Sequence, residues 1–480
     1  MDMINKIKKK YRDVPLPVKA SFWFVIVNIF NKGIAFITTP VFTRIMTQKA
    51  YGITSLYNSW FAIISIVATF EFSTGVFNKA MIKYSDDRDS YTSSMLVLTS
   101  YITIAIFALY LAFRKRLNTA LALDTSMMIL MFLEIFFTSA MNFWSIRERF
   151  EYRYKQVVIV TLVTNLLATT LSVVLVCNFP GNPAFLKVLG LTIVHVVIYF
   201  FVFIKIFHKG RTFINIQYWL YSIKYNLPLL PHYLSQQVLN QSDRIMISNL
   251  CGSTQTAKYS LSYQIASIMQ LITNAVHVTF MPWTYQKLSN SDYKPIGVRA
   301  VQIEILVASA SLIFSLFAPE FIMILGGKAY LDAVYIVPPV AMSVLFITIY
   351  SFFGNIEFYF EKTQLIMVAS CITALVNIIL NSVFIPVTGY IAAGYTTMFC
   401  YILYAGVHYF FMVKICKDNN IDNPYPGKLM WGIALLFSVV SIMMTAFYKF
   451  YLIRYVVILI LISIVIIYFW KNKNIILDNK

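Results

Sequence analysis

Fourteen apolar stretches alternate with short polar connections along the 480-residue chain, each near the roughly 20 residues that a helix needs to cross a hydrocarbon core. They lie at about 20–42, 52–77, 93–113, 122–144, 156–178, 185–206, 226–249, 257–282, 297–317, 335–358, 365–386, 390–413, 428–447 and 452–470. The runs are continuous and do not alternate residue by residue, so they predict membrane-spanning helices and not barrel strands. The fourth is interrupted by Glu134, and the seventh is polar along Gln236, Gln237, Asn240, Gln241 and Asp243. The fold class that follows is an all-α polytopic membrane protein. The first run follows the basic stretch Lys6–Arg12 but carries Lys32 and ends in Thr39-Pro40 without a small-residue cleavage site, which predicts a retained span and not a signal peptide.

The pattern repeats. Thr43-Arg44-Ile45-Met46 at the end of the first span, with Ser55-Leu56-Tyr57 opening the second, is echoed by Asp243-Arg244-Ile245-Met246 and Ser260-Leu261-Ser262-Tyr263 at the seventh and eighth. Tyr154-Lys155-Gln156 entering the fifth span is echoed by Glu361-Lys362-Thr363-Gln364 entering the eleventh. Three echoes in order predict two six-span halves followed by two extra helices: 1–206, an amphipathic cytoplasmic linker at 207–225, 226–413, and 414–480. Parallel repeats of this kind place a substrate path between the halves, with alternating access by rocking. The linker sets Ile214, Trp219, Leu220 and Ile223 among basic and polar residues, as an interfacial segment facing anionic lipid does.

Composition agrees with the spans and reassigns the charge. The chain is 59% hydrophobic and 12% charged, against about 25% charged in soluble domains, which excludes a cytosolic globular enzyme and a disordered chain. The net charge of +19 would suggest nucleic acid on a soluble protein. Here about 27 of the Lys and Arg residues fall on the side of the termini and about 10 opposite, Arg114-Lys115-Arg116 among the minority. The charge therefore reads as orientation, with both termini cytoplasmic and no nucleic-acid partner. Connections reach only about 19 residues, too short for the external loop that a membrane polymerase or ligase uses to hold an acceptor. No Walker motif, nucleophile elbow or Cys/His metal cluster is present, and the five cysteines are scattered without a C-x-x-C pair, so neither an enzyme nor a cofactor is expected.

Ionisable residues inside spans are the candidates for function. Lys32 shares a face with Asn28 in the first span and reads either as a fixed cation for an anionic head group, or as the partner of a carboxylate from another helix or a snorkelling cation. Arg44 and Arg244 stand at equivalent places in the two halves, as interfacial anchors or as forks for phosphate oxygens. Asp243 is a candidate partner of Lys32 or a site for a coupling H+ or Na+. Glu134, in a Phe-rich stretch, reads as a proton carrier or as a hydrogen-bonded neutral glutamic acid with no transport role. Asn377 and Asn381, one turn apart, offer oxygens to sodium or to sugars, or hydrogen bonds between helices. Glu71, Glu304 and Glu357, near cytoplasmic span ends, read as interfacial carboxylates. Tyr57, Trp60, Tyr263 and Trp283 are candidate sugar-stacking rings.

The run Thr39-Pro40-Val41-Phe42-Thr43-Arg44-Ile45-Met46-Thr47, with Tyr51-Gly52 and Ser55-Leu56-Tyr57, resembles the N-terminal signature of the polysaccharide-transporter branch of the MOP (multidrug/oligosaccharidyl-lipid/polysaccharide, MATE-like) superfamily, which includes Wzx-type O-antigen flippases. Ser242 to Ile247 and Tyr259-Ser260-Leu261 are similar to the start of that family's second half. The resemblance implies two six-helix lobes in a V shape plus two C-terminal helices. The implied activity is translocation of an undecaprenyl-diphosphate-linked oligosaccharide, an O-antigen or capsule unit, to the outer leaflet of the bacterial inner membrane. It further implies an H+ or Na+ gradient in place of ATP, and membrane lipids and polysaccharide polymerase machinery as partners. Lys32, Arg44 and Arg244, with Asn28, would hold the diphosphate. Where related flippases carry an ion-site carboxylate in the eleventh span, this chain offers Asn377 and Asn381, which argues against sodium. Multidrug export by a MATE-type antiporter is the rival within the superfamily, opposed by the cation Lys32; an O-antigen polymerase or ligase is the rival outside it.

Overall fold

A computed structural model describes residues 15–471, except for a few side chains within helices, Asn28 among them. The described residues form helices joined by short turns, and two compact units divide them: Met1–Leu234 and Ser235–Lys480.

The first unit contains α1 (Leu16–Ile45), α2 (Gln48–Thr69), α3 (Val76–Lys83), α4 (Arg88–Leu121), α5 (Thr125–Phe150), α6 (Tyr154–Asn178), α7 (Pro183–Gly210) and α8 (Ile216–Asn226). Local chemistry sets several starts. The Thr47 side chain accepts from Ala50 N at the head of α2, and Asn182 caps α7 just before Pro183, whose missing N–H costs nothing at a first helical position. α4 outruns its apolar stretch, continuing past a kink at Phe113 through Arg114, Lys115 and Arg116. α7 is central, packing on α2, α4, α5 and α6. Its seam with α6 is set by small residues: a Cβ built on Gly190 would lie 2.6 Å from Ser172 Cα, and the Ser172 hydroxyl is 2.9 Å from the Lys187 carbonyl.

The expected linker region forms α8, whose inner face is tied to this unit. Tyr218 donates to Asp87, Tyr91 and Ser222 pair at 2.7 Å, Trp219 donates to the Ser94 carbonyl at 3.0 Å, and Asn226 donates to the Phe70 carbonyl at 2.5 Å. Its outer face leaves Ile216 and Leu220 exposed beside Phe213 and Ile214. α8 is thus amphipathic, with protein covering one side.

The second unit holds most of α9 (Leu230–Cys251), then α10 (Ser253–Ser289), α11 (Lys294–Leu316), α12 (Ala318–Leu325), α13 (Val337–Tyr359), α14 (Thr363–Thr388), α15 (Ala392–Asp418), α16 (Gly427–Met443) and α17 (Tyr451–Lys471). α13 is apolar nearly all round and correspondingly enclosed, packing on α10, α11, α14, α15 and α16. Arg454 of α17 grips the unit by a fork on Glu320 at 2.7 and 2.8 Å and by a 2.7 Å bond to the Leu316 carbonyl.

Twelve helices among the described residues are long and apolar enough to cross a membrane. The other two expected spans are helices as well: α9 is too polar to qualify, and α17 has a shorter apolar run, Tyr451–Ile467. The chain is a multi-pass membrane protein. Gly190→Leu should force α6 and α7 apart and lower stability by about 1–3 kcal/mol, seen as a lower thermal midpoint in detergent, whereas Gly432→Ala, with nothing within 4 Å of the added Cβ, should leave the midpoint unchanged.

Candidate functional site

In the second unit the polar seventh span finds its reason. Gln236, Asn240 and Asp243 lie on one face of α9, and each is hydrogen-bonded to α15. Gln236 donates to the Tyr404 hydroxyl at 2.8 Å, Tyr401 donates to Asn240 Oδ1 at 2.8 Å, and Thr397 donates to Asp243 Oδ2 at 2.6 Å. The two helices run antiparallel along this ladder, which rises about 10 Å at 1.5 Å per residue.

Its top rung widens into a cluster. Asp243 is fully buried, and its carboxylate also accepts from Tyr259 of α10 at 2.5 Å and from the Asn381 amide of α14 at 2.6 Å. Asn381 Oδ1 accepts from Thr396 at 2.5 Å, its amide lies 3.2 Å from Asn377 Oδ1, and Ser242 donates to that same oxygen at 2.7 Å. The donors bonded to Asp243 are neutral. A carboxylate, two amide oxygens and two threonine hydroxyls thus converge from three helices, an all-oxygen set of the kind hard cations take. A hydroxyl and amide set around one carboxylate also suits a proton. Among the described residues no group of three or more His, Cys, Asp or Glu side chains could hold a metal, so a soft-metal centre has no support there.

In the first unit Glu134 of α5 meets three partners. His195 Nδ1 of α7 lies 2.7 Å from Oε1, while Thr192 and Tyr57 donate to Oε2 at 3.1 and 3.3 Å. The His195 ring stacks on Tyr199, with centroids 5.3 Å apart. The pair is partly accessible, with 17% and 12% of the two side chains exposed.

Residues 18–286, more than half of the chain, match the family described as polysaccharide biosynthesis protein. The chain belongs to this family. A relative encoded at the Lsg locus of Haemophilus influenzae is 19% identical over 368 residues, 75% of this chain and 89% of that protein. Among solved structures, the lipid II flippase MurJ in an inward closed conformation aligns with a TM-score of 0.68 at 15% identity, covering 94% of this chain and 99% of that one. A multidrug resistance MATE family transporter of the MOP superfamily, inward-facing, aligns at 0.56 and 12% identity, covering 83% and 95%. These likenesses establish the fold: this polysaccharide biosynthesis protein has the MOP-superfamily architecture.

The residues singled out in sequence separate by location. Asp243, Asn377 and Asn381 come together in one cluster. Glu134 stands in the other unit with His195. Lys32 is exposed on α1 and makes no hydrogen bond or ion pair among the described residues. Neighbouring Asn31 is held by Asn165 of α6 at 2.8 Å. The Asn28 side chain lies outside the described residues. Arg44 is exposed and donates to the Pro40 carbonyl at 2.8 Å. Arg244 donates to the Asn240 carbonyl and Gln241 and covers the Tyr263 ring at 4.3 Å. Of the proposed stacking rings, Tyr57 is buried against Glu134, Trp60 donates to the Leu121 carbonyl at 3.0 Å, and Trp283 packs on Phe280.

One expectation is overturned. Glu304 and Glu357, expected as interfacial carboxylates, are both fully buried in the second unit, although Val298 of α11 and Phe358 of α13 are exposed. The sequence reading also passed over His195, a lone histidine in an apolar run, and Lys187, whose Nζ sits 4.2 Å over Phe42 and 4.8 Å over Tyr51. Lys187 lies within the first two turns of its span, where a lysine carries little distinguishing signal.

Asp243→Ala should leave the Tyr259, Thr397 and Asn381 donors unpaired in a sealed site and cost about 2–4 kcal/mol. Asp243→Asn, which keeps an acceptor, should cost less. Thermal unfolding of the purified protein in detergent orders the two.

Proposed function

We propose that this chain is a flippase that moves a polyprenyl-diphosphate-linked oligosaccharide from the cytoplasmic to the outer leaflet of a bacterial inner membrane by alternating access. Membership of a polysaccharide biosynthesis family, in a chain folded over 94% of its length like a lipid II flippase, carries this reading. Lipid II flippase is that protein's name; for this chain, a lipid-linked saccharide is the cargo that family and fold jointly favour. The Lys/Arg asymmetry of the connections supports cytoplasmic termini.

The charged groups fit the division of labour. Lys32 is exposed and unpaired among the described residues, and so is available to a diphosphate; Arg44 and Arg244 are further forks for phosphate oxygens, with Asn28 beside Lys32 on the helix face. Asp243 is enclosed, and Glu134 only partly exposed. Asp243, with Asn377 and Asn381, is the proposed coupling site for Na+ or H+, and Glu134 a proton site in the other unit. Sodium bound there would take oxygens from Asp243, Asn377, Asn381 and Thr397 in place of their present hydrogen bonds. The sugars would select among cavity-lining side chains, and the polymerase that receives the product is the expected downstream partner.

Two measurements test the reading. In proteoliposomes loaded with undecaprenyl-diphosphate oligosaccharide, Lys32→Ala should slow translocation at limiting substrate about tenfold, the loss of one charge-assisted contact of about 1.4 kcal/mol; an unchanged rate removes Lys32 from the site. Replacing KCl by NaCl should raise the thermal midpoint of the wild-type protein, through a stabilisation of up to about 2.7 kcal/mol at a hundredfold excess over Kd, and leave Asp243→Asn unmoved. A wild type indifferent to sodium whose transport follows a pH gradient assigns the site to H+.

A further inference from the structure

The second unit contains a Glu–imidazole pair that the transport reading does not use. Glu357 of α13 and His408 of α15 meet with Oε1 2.6 Å from Nδ1, and the two side chains are 0% and 1% exposed. Their far ends, Glu357 Oε2 and His408 Nε2, are buried without a hydrogen-bond partner among the described residues. These are the two atoms through which the pair can gain or lose a proton.

The surroundings leave the pair to itself. Tyr404 of α15 approaches the His408 ring edge-on at 4.5 Å, and Tyr350 of α13 stacks on it at 5.4 Å. The Tyr404 hydroxyl is occupied by Gln236 of α9. From the other packed helices, Glu304 of α11 has both carboxylate oxygens unbonded, His277 of α10 makes no bond to the pair, and no lysine or arginine forms an ion pair with either member among the described residues. With one proton between them Glu357 and His408 carry no net charge; without it they carry one negative charge in a sealed apolar setting, a state that burial penalises heavily. Water access therefore decides whether the proton stays. Glu357 is two residues from the end of α13, beside the exposed Glu361 and Lys362, so the route to water is short.

We infer that the Glu357–His408 pair is a proton-exchanging site of the second unit, separate from the Asp243 cluster. In the loaded state His408 is an imidazolium whose Nδ1–H is bonded to the Glu357 carboxylate. On unloading, the Nε2–H bond breaks and the proton passes to a water molecule, leaving neutral imidazole with Nδ1–H still donating to Glu357. Thr397, Tyr401, Tyr404 and His408 follow at spacings of four, three and four along one face of α15. The helix that carries the proton site is thus the one that closes the ladder to Asp243.

The test reads protonation directly and is independent of transport. The full-length protein, 15N-labelled at its five histidines, is placed in lipid nanodiscs and followed by NMR between about pH 5 and pH 8, where histidine exchanges its proton. His408→Gln assigns the signal; if that variant fails to fold, elimination through the other four histidine substitutions assigns it. The wild-type His408 signal should pass from doubly to singly protonated across the range. Glu357→Gln should weaken proton binding at His408 about tenfold, and Glu357→Asp should restore most of it. A His408 signal fixed in one state throughout the range in the wild type, or one that titrates identically in a folded Glu357→Gln protein, overturns the proposal and leaves the pair as a tie between α13 and α15. If Glu357→Gln does not fold, the wild-type titration and Glu357→Asp still decide.

Discussion

A carboxylate enclosed among membrane helices must take its hydrogen bonds from those helices, because neither lipid nor an apolar core supplies them. Asp243 shows what that constraint builds. Its two oxygens draw donors from α10, α14 and α15, so a single side chain on α9 sets the relative placement of four helices. Each bond contributes modestly, since polar contacts between membrane helices average about 0.6 kcal/mol. The larger effect is what any other packing would cost: a buried carboxylate without donors. The constraint acts less by adding stability than by excluding alternatives.

The same rule explains why α9 can be polar. A helix carrying Gln236, Asn240 and Asp243 is poorly suited to lipid, yet every one of these side chains ends on a partner in α15. Glu134 in the first unit is treated differently. It keeps part of its surface and shares its carboxylate among His195, Thr192 and Tyr57. Apolar seams need no such matching. The α6–α7 contact is governed by whether Gly190 admits Ser172 closely enough.

The candidate cations of α1 and three acids of the second unit differ in burial. Lys32 and Arg44 are exposed, while Asp243, Glu304 and Glu357 are fully buried. For the anionic cargo proposed above, an exposed Lys32 can exchange water for phosphate, and an enclosed acid does not repel it.

The spans, the helical class and the identity of the family were legible along the chain, because crossing a membrane demands about 20 apolar residues whatever the neighbours are, and because Thr43-Arg44-Ile45-Met46 and its echo at Asp243 to Met246 are local. Asp243, Asn377 and Asn381 were legible as candidates for the same reason: a polar residue in an apolar run stands out by itself. Their convergence was not legible, since positions 243, 377, 381 and 397 are joined only when α9, α14 and α15 pack. Glu357 was misplaced at the interface because its position near the end of an apolar run says nothing of what covers that end. His195 and His408 were passed over because a lone histidine acquires meaning only from what it faces. Sequence alone determined which segments leave water and which side chains are costly there; tertiary structure decided which of those costs are met by partners, because the donors come from other helices tens to hundreds of residues away.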